Sequence, residues 1–356
     1  MRKNHLIDLC DLTREQWEEI VDLAVQISQN PSAYAEAGKG KILATLFYEP
    51  STRTKMSFQT AMFRLGGNVI GFDNPQTSSV SKGESLADTL KIVSGYVDVI
   101  AMRHSIEGAV LAAAQAADCP VINAGDGGHL HPTQTLTDLV TLRIELGDLN
   151  HRVIGICGDL KNGRTVHSLI NTLCHYQDIE FVLISTPELL LPARFKEVIH
   201  RSGCRYREVL SIEEAIAELD VLYMTRIQKE RFTSLELYNQ QKNVYVLNSA
   251  KLCLAKPELK ILHPLPRVDE IEPSVDTDPR ALYFKQARYG VFARMALILT
   301  LLSSQNKEAV LHGNTAGDTR CPNPNCITNL EEGTPLSVIR EGDQSYCEYC
   351  DSPLKD

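Results

Sequence analysis

The sequence has no apolar run near the ~20 residues that a membrane-spanning helix needs. Its longest late stretch, Val291 to Leu302, is broken by Arg294 and Thr300. The apolar core of a secretory leader is also missing, because Met1-Arg2-Lys3-Asn4-His5-Leu6 runs on into Asp8 and Asp11,. The expectation is a cytoplasmic protein with no membrane partner. Basic residues are in deficit, 36 Lys and Arg against 45 Asp and Glu for a net charge of −9. No global positive field therefore points to nucleic acid. Neither a Walker pattern nor a G-x-G-x-x-G turn occurs, which weighs against a nucleotide or other organic cofactor. No repeat with a period of ~20–50 residues is visible.

What is present is a chain of 356 residues with 43% hydrophobic and 23% charged residues. That length and balance suit two globular domains and a small third one, with cores that need no disulfide or metal to form. Lys41 to Tyr48 is apolar and β-favouring, and reads as a buried strand. Helix-start signals follow in Glu49-Pro50-Ser51-Thr52-Arg53-Thr54, and then Phe58, Ala61, Met62 and Leu65 at the spacing of one helix face,. Gly66-Gly67 ends that helix and Asn68 to Phe72 resumes as a strand. Strand, helix and strand in this order are the signature of a parallel α/β sheet. Val97 to Met102 and Pro120 to Ala124 read as further strands, and Thr133 to Leu146 as a helix that links two domains. A second α/β half opens at Arg152 to Cys157, with later strands at Phe181–Ile184, Val221–Met224 and Val244–Leu247 and a closing helix from Phe284 to Leu302. The fold class is α/β, two doubly wound parallel-sheet domains followed by a small C-terminal module.

Ser51-Thr52-Arg53-Thr54 stands where a strand hands over to a helix. Free N–H groups and a partial positive charge gather at such a point, so hydroxyls and a guanidinium there make an anion site without a Gly-rich loop. A plain capping cluster accounts for the hydroxyls equally well. Taken alone, Lys82 reads as a surface lysine and His131, before Pro132, as a polar loop residue.

Together with Tyr48-Glu49-Pro50 before it, Ser51-Thr52-Arg53-Thr54 resembles the carbamoyl phosphate loop of the carbamoyltransferase family. Ser78 to Ser85 resembles that family's mobile loop, Ala101-Met102-Arg103-His104 its phosphate arginine segment, and His131-Pro132-Thr133-Gln134 its carbamoyl-recognising segment. The resemblance covers about residues 1–305. It implies that Ser51, Thr52, Arg53 and Thr54 hold the phosphate and that Arg103 bridges phosphate and carbonyl oxygen. It implies further that His131 donates to the carbonyl, that Gln134 binds the carbamoyl amide, and that Ser78 and Lys82 enter from a neighbouring subunit of a homotrimer. The catalytic set is then Arg53, Thr54, Lys82, Arg103 and His131.

The second half bears on the acceptor. Ornithine brings a cationic amine and calls for carboxylates, whereas aspartate brings a second carboxylate and calls for cations. The segments Gly158 to His167 and Met224 to Arg231 are cationic and resemble the aspartate-specific members, and the H-C-Q and D-x-x-x-S-M-G segments of ornithine enzymes are absent. By this resemblance Lys82, Arg164, Thr165, Arg226 and Gln228 bind aspartate, with backbone carbonyls from Pro264 and Leu265, and Glu49, Arg164 and Arg231 brace domain closure. The implied reaction moves the carbamoyl group of carbamoyl phosphate to L-aspartate, giving N-carbamoyl-L-aspartate and phosphate, an early step of de novo pyrimidine biosynthesis. The alternatives are a carbamoyltransferase for a different amine, or an inactive zinc-bearing regulatory or scaffold subunit. The implied domains are residues 1–135 for carbamoyl phosphate, closed by a helix at 287–304, and 136–286 for aspartate.

Ten cysteines fall into two classes. Cys10, Cys119, Cys157, Cys174, Cys204 and Cys253 are scattered and read as small reduced apolar residues. Cys321, Cys326, Cys347 and Cys350 form C-x4-C and C-x2-C knuckles in the last 36 residues. Four thiolates at this spacing suit a closed tetrahedral zinc site, and a module with so little core gains its folding energy from the metal. The tail resembles the zinc domain of the regulatory chain of bacterial aspartate carbamoyltransferases. It is placed at residues 319–356, after a polar linker at 305–318, and is expected to support a higher oligomer.

Overall fold

The computed structural model describes residues 5–75, 79–227, 234, 236, 238, 241, 244–304, 311–316, 319–342 and 344–354. Its contacts divide the chain into two compact units, Met1–Leu136 with Val291–Asp356, and Thr137–Gly290.

The first unit holds a parallel sheet of β1 (Ile42–Phe47), β2 (Asn68–Phe72), β3 (Val99–His104) and β4 (Val121–Asp126), in the order β2-β1-β3-β4. β1 and β3 are buried on both faces, which is why they read as near-continuous apolar runs, while the edge strand β2 is mostly open,. Crossovers come from α2 (Thr52–Arg64), α3 (Leu86–Ser94) and α4 (Ala109–Ala116). Ahead of the sheet, α1 (Arg14–Gln29) starts in a capping box between Thr13 and Gln16 and buries Trp17, Ile20, Val21, Ala24 and Ile27,. Phe47 is in register with Arg103, so the chain leaves β1 toward Glu49 beside the end of β3.

The helix α5 (Pro132–Leu146) begins one residue before the predicted start. The second unit contains β5 (Val153–Cys157), β6 (Glu180–Ile184), β7 (Arg205–Val209), β8 (Val221–Met224) and β9 (Lys260–Leu262), all parallel, in the order β7-β6-β5-β8-β9. The chain order reverses between β5 and β8, the point at which open α/β sheets form a crevice at their carboxyl ends. α6 (Arg164–Leu173) and α7 (Ala193–Arg201) follow β5 and β6. Buried polar groups are chained together here: Tyr223 donates to Asp138 at 2.9 Å, Gln286 donates to the other Asp138 oxygen at 2.6 Å, and the backbone N–H of His263 donates to Gln286 at 2.9 Å.

One predicted strand is not formed. Val244–Leu247 makes a single bridge, Leu247 with Ile271, and leads into the short helix α8 (Ser249–Leu252), whose N-cap is Asn248. Tyr245 and Leu247 are buried, so the apolar pattern reflects packing against the sheet and not membership of it. β7 and β9 take the places that the pattern did not reveal. The closing helix α9 runs Tyr283–Ser303. Among the described residues, no helix is long and apolar enough to cross a membrane.

The tail forms its own antiparallel sheet of β10 (Asn314–Thr315), β11 (Ser337–Glu341), β12 (Gln344–Cys347) and β13 (Pro353–Leu354), with a short helix α10 (Ile327–Leu330). β10 lies inside the stretch read as linker. Buried Glu348 ties it down, accepting the N–H groups of His312 and Gly313 at 2.8 and 3.0 Å and the Ser337 hydroxyl at 2.7 Å.

Candidate active site and metal centre

In the first unit the geometry converges at the carboxyl ends of β1, β3 and β4. Ser51 occupies the N-cap position of α2 but makes no side-chain cap bond to the helix; its hydroxyl donates to the Thr54 hydroxyl at 3.0 Å. The capping alternative is therefore not what the hydroxyls do. The first-turn backbone N–H groups and the positive end of the helix dipole gather at this turn. Thr54 is buried, while Thr52 and Arg53 are exposed.

Arg103 is buried at the end of β3. Its Nη2 lies 3.0 Å from Glu49 Oε2, and its Nη1 lies 3.4 Å from both the Ala124 carbonyl and His131 Nε2. His131 is buried just before α5, and Gln134, half-buried, donates its N–H to the His131 carbonyl at 3.0 Å. Thus Glu49, Thr54, Arg103 and His131 belong to one unit, and three of them are in direct contact. Lys82 is exposed in a 3-10 turn, Ser79–Lys82. Ser78 lies outside the described residues.

Two contributors were not singled out from the sequence. Gly125 has φ +123°, and a Cβ there would sit 2.8 Å from Arg103 Nη1 and 3.5 Å from His131 Cδ2. Only glycine lets the guanidinium and imidazole approach this backbone. The Gly-rich stretch Gly125-Asp126-Gly127-Gly128 was the available signal. His104 is the other. Its Nδ1 accepts the Ile106 N–H at 2.9 Å, and its ring packs against Tyr48 with centroids 4.6 Å apart. Burial lowers its pKa to about 4, so it stays neutral and braces the turn that carries Glu49,.

In the second unit, Gly158 and Asp159 follow β5. Asp159 is fully buried and its Oδ1 accepts the Asn162 N–H at 3.0 Å, shaping the turn into Gly163 and the first helical residues Arg164 and Thr165. Arg226 follows β8, and the Thr225 N–H donates to the Cys157 carbonyl at 2.8 Å, which keeps the two strand ends together. Arg164, Thr165 and Arg226 are half-buried beside the crevice, and Pro264 and Leu265 follow β9. Gln228 and Arg231 lie outside the described residues. Glu49 pairs with Arg103 in its own unit, and Arg164 belongs to the other unit. Arg294 is buried on α9 with its guanidinium carbon 5.1 Å from the Phe58 ring centroid.

The four tail cysteines are buried and their sulfur atoms all lie within 4.8 Å of one another. Cys321 and Cys350 are 3.5 Å apart, Cys326 and Cys347 3.7 Å. A tetrahedral ion with ~2.3 Å metal–sulfur bonds needs sulfurs about 3.8 Å apart. The donor set and spacing therefore fit a structural metal. All ten cysteines are free of disulfides; of the scattered six, four are buried as expected, and Cys10 and Cys253 are exposed.

This metal module rests on the first unit. The N–H of Glu107 donates to the Asn325 carbonyl and the N–H of Ile327 to the Glu107 carbonyl, at 3.1 and 2.9 Å. Asn323 donates to the Glu107 carboxylate at 2.6 Å, Asn325 to the Ser105 carbonyl at 3.0 Å, and Tyr349 to Gln115 at 2.9 Å. His129 stands between Asp351, at 2.9 Å, and Asp126, at 3.4 Å. Burial alone lowers its pKa, but Asp351 and Asp126 outweigh that and hold it well above the ordinary histidine value,.

An uncapped helix start beside a buried arginine–histidine pair on one parallel sheet, and cationic strand ends on another, define a two-domain α/β enzyme of anionic substrates. Profiles of the aspartate/ornithine carbamoyltransferase carbamoyl-P binding domain and Asp/Orn binding domain match residues 4–144 and 150–301. The chain belongs to the aspartate/ornithine carbamoyltransferase family. Its residues 315–356 match the metal binding domain of the aspartate carbamoyltransferase regulatory chain. An aspartate carbamoyltransferase catalytic subunit of Clostridium novyi is 55% identical over 302 residues, which is 85% of this chain and 99% of that one. Among solved structures, the catalytic subunit of M. jannaschii aspartate transcarbamoylase is 45% identical with a TM-score of 0.78, covering 84% of this chain and 97% of that one. Aspartate transcarbamoylase from Trypanosoma cruzi in complex with carbamoyl phosphate and aspartate is 38% identical with a TM-score of 0.78, covering 83% and 96%. The T. cruzi enzyme has also been solved with N-(phosphonacetyl)-L-aspartic acid.

Proposed function

We propose that this chain transfers the carbamoyl group of carbamoyl phosphate to the amine of L-aspartate, releasing N-carbamoyl-L-aspartate and phosphate, and so serves pyrimidine synthesis. The observation that carries the reading is Arg103, held by Glu49 at 3.0 Å and 3.4 Å from His131, next to an α2 start whose cap bond is not made. The half-buried Arg164 and Arg226 beside the switch point support a dicarboxylic acceptor.

The neutral amine attacks the carbamoyl carbon, the bond from that carbon to the phosphate oxygen breaks, and a phosphate oxygen takes the amine proton. Negative charge grows on the carbonyl oxygen and on the departing phosphate. Thr54, Arg103 and His131 stabilise the first, and Ser51, Thr52, Arg53, Arg103 and Lys82 the second. Gln134 orients the carbamoyl amide. No covalent enzyme intermediate is needed, and the gain in rate comes from orientation and charge placement.

The first unit is the carbamoyl phosphate domain and the second the aspartate domain, with Thr165, Gln228, Pro264 and Leu265 completing the amino-acid subsite. The active unit is a homotrimer in which Ser78 and Lys82 serve the neighbouring subunit's site. Met56, Phe63 and Ile70, exposed on α2 and β2, support a subunit interface there,. Zinc is the metal that four thiolates favour, and it supplies structural cross-linking of the tail. Reduced thiols support a cytoplasmic setting.

Phosphate release that requires both carbamoyl phosphate and L-aspartate, and that ornithine does not support, is the expected result. Arg53→Ala should lower kcat at least ~100-fold, the scale of losing one donor to a developing oxyanion. Near-normal turnover in that variant, or release driven by ornithine, would refute the assignment.

A further inference from the structure

The loop after β9 is held by a hydrogen-bond chain that the reaction scheme does not use. Leu265 has φ +54°, a left-handed conformation that a branched side chain adopts only when its surroundings impose it. Its N–H donates to His263 Nδ1 at 2.7 Å. That nitrogen is therefore the unprotonated one, and Nε2 carries the proton, which it donates to Glu270 Oε1 at 2.7 Å,. The second oxygen of Glu270 accepts the N–H groups of Val268 and Asp269 at 3.0 and 3.1 Å. His263 and Glu270 are 1% and 6% exposed, so neither is a surface pair. Burial alone raises the Glu270 carboxyl, but the His263 bond and the backbone donors outweigh it and keep it below its ordinary value,.

We infer that Glu270 is a positioning residue of the amino-acid subsite: it fixes the tautomer of His263, which in turn fixes the left-handed backbone of Leu265. The inference rests on the assignment of the Leu265 carbonyl to the substrate. Every acceptor in the chain is engaged: Nδ1 of His263 and Oε1 of Glu270 by one donor each, and Oε2 of Glu270 by two. A carboxylate is the only side chain of this size that accepts from an imidazole on one oxygen and from two backbone N–H groups on the other. In Glu270→Gln the amide nitrogen must face either the imidazole N–H or the two backbone N–H groups. The first arrangement drives the proton to Nδ1, where it opposes the Leu265 N–H; the second strips the loop of its anchor. Either way Leu265 loses its restraint.

The test compares wild type with Glu270→Gln and with His263→Asn. The Asn oxygen falls near the place of Nδ1, so it retains an acceptor for the Leu265 N–H without needing Glu270. In wild type, 15N spectra of the imidazole should show a single neutral Nε2–H tautomer, and in Glu270→Gln a mixture or the Nδ1–H form. Glu270→Gln should raise the KM for aspartate about tenfold and weaken N-(phosphonacetyl)-L-aspartate by a similar factor. Binding of carbamoyl phosphate alone should stay within twofold. His263→Asn should recover most of the aspartate KM, which a purely structural loss would not allow. A tautomer that shifts while the aspartate KM does not, or His263→Asn as impaired as Glu270→Gln, overturns the inference. If Glu270→Gln does not fold, Glu270→Ala placed in the His263→Asn background decides: unchanged aspartate KM relative to His263→Asn supports it, and a further tenfold rise overturns it. Failure of wild type to use aspartate at all would instead refute the proposed function.

Discussion

Arg103 owes its position to partners that sequence reasoning reached only in part. The resemblance identified Arg103 and His131 because both bear side chains with obvious chemistry. It gave no role to Gly125, whose contribution is the absence of one. The φ of +123° at Gly125, and the 2.8 Å that would separate an added Cβ from Arg103 Nη1, are backbone facts, and a sequence displays only a glycine in a glycine-rich turn. The consequence is testable. Gly125→Ala forces a left-handed φ on an L-residue, at about 1–3 kcal/mol, and pushes the guanidinium off its contacts with Ala124 and His131. The fold should survive with a lowered Tm, because the clash meets the end of a side chain and not backbone. The kcat/KM for carbamoyl phosphate should drop more than ~10-fold. Thermal denaturation and steady-state kinetics measured together check this; a lowered Tm with unchanged kcat/KM would show that Gly125 serves only the turn.

At the level of elements, legibility followed burial. β1, β3, β5 and β8 are covered on both faces, so each stands out as an apolar run. β7 escaped notice because it is an edge strand made of Arg205-Tyr206-Arg207-Glu208-Val209. Its charges are engaged in ion pairs, Arg207 with Glu218 at 2.9 Å and Lys196 with Glu208 at 2.7 Å, as edge strands that avoid further pairing require. β9 has three residues, too few for a period to show. Val244–Leu247 misled for the opposite reason: it is an unbroken apolar run like that of a buried strand, while pairing through one bridge. The start of α2 and the 3-10 turn Ser79–Lys82 were both legible as motifs, and they carry the next expectation. If Lys82 serves a neighbour's site while Arg53 serves its own, inactive Arg53→Ala and Lys82→Ala chains should complement when mixed. In randomly exchanged trimers, roughly a quarter of sites would hold one intact copy of each residue. Activity near that fraction of wild type after subunit exchange supports a shared site, and none at any mixing ratio removes it.

For the whole molecule, the decisive fact is that the metal module shares a core with the first unit. Cys321, Cys326, Ile327, Leu336, Cys347 and Tyr349 are buried together with Ala109, Val110 and Ala113 of α4. Gly108 has φ +81°, and a Cβ there would lie 2.6 Å from the Tyr349 Cβ, so the α4 start is shaped to receive the knuckle. Leu86 at the start of α3 donates its N–H to Glu331 of the tail at 2.6 Å. A tail gathered by four cysteines therefore packs under α3 and α4, and a metal bound there should contribute to the stability of the first unit. One equivalent of zinc per chain is the expected stoichiometry. Stripping it with a chelator, or replacing Cys350 by Ser, should unfold the sheet β10–β13, because four buried thiols cannot substitute for metal bonds as a source of folding energy. Hydrogen exchange should then quicken at residues 86–94 and 106–116, where the module rests, and stay unchanged in β5, β6 and β8, which belong to the second unit. The apparent Tm should fall by several degrees, about 2–4 °C for each kcal/mol lost in a domain of this size, and return when zinc is restored to the wild-type chain. Unchanged exchange at 106–116 after metal loss would show that the module rides on the first unit without supporting it.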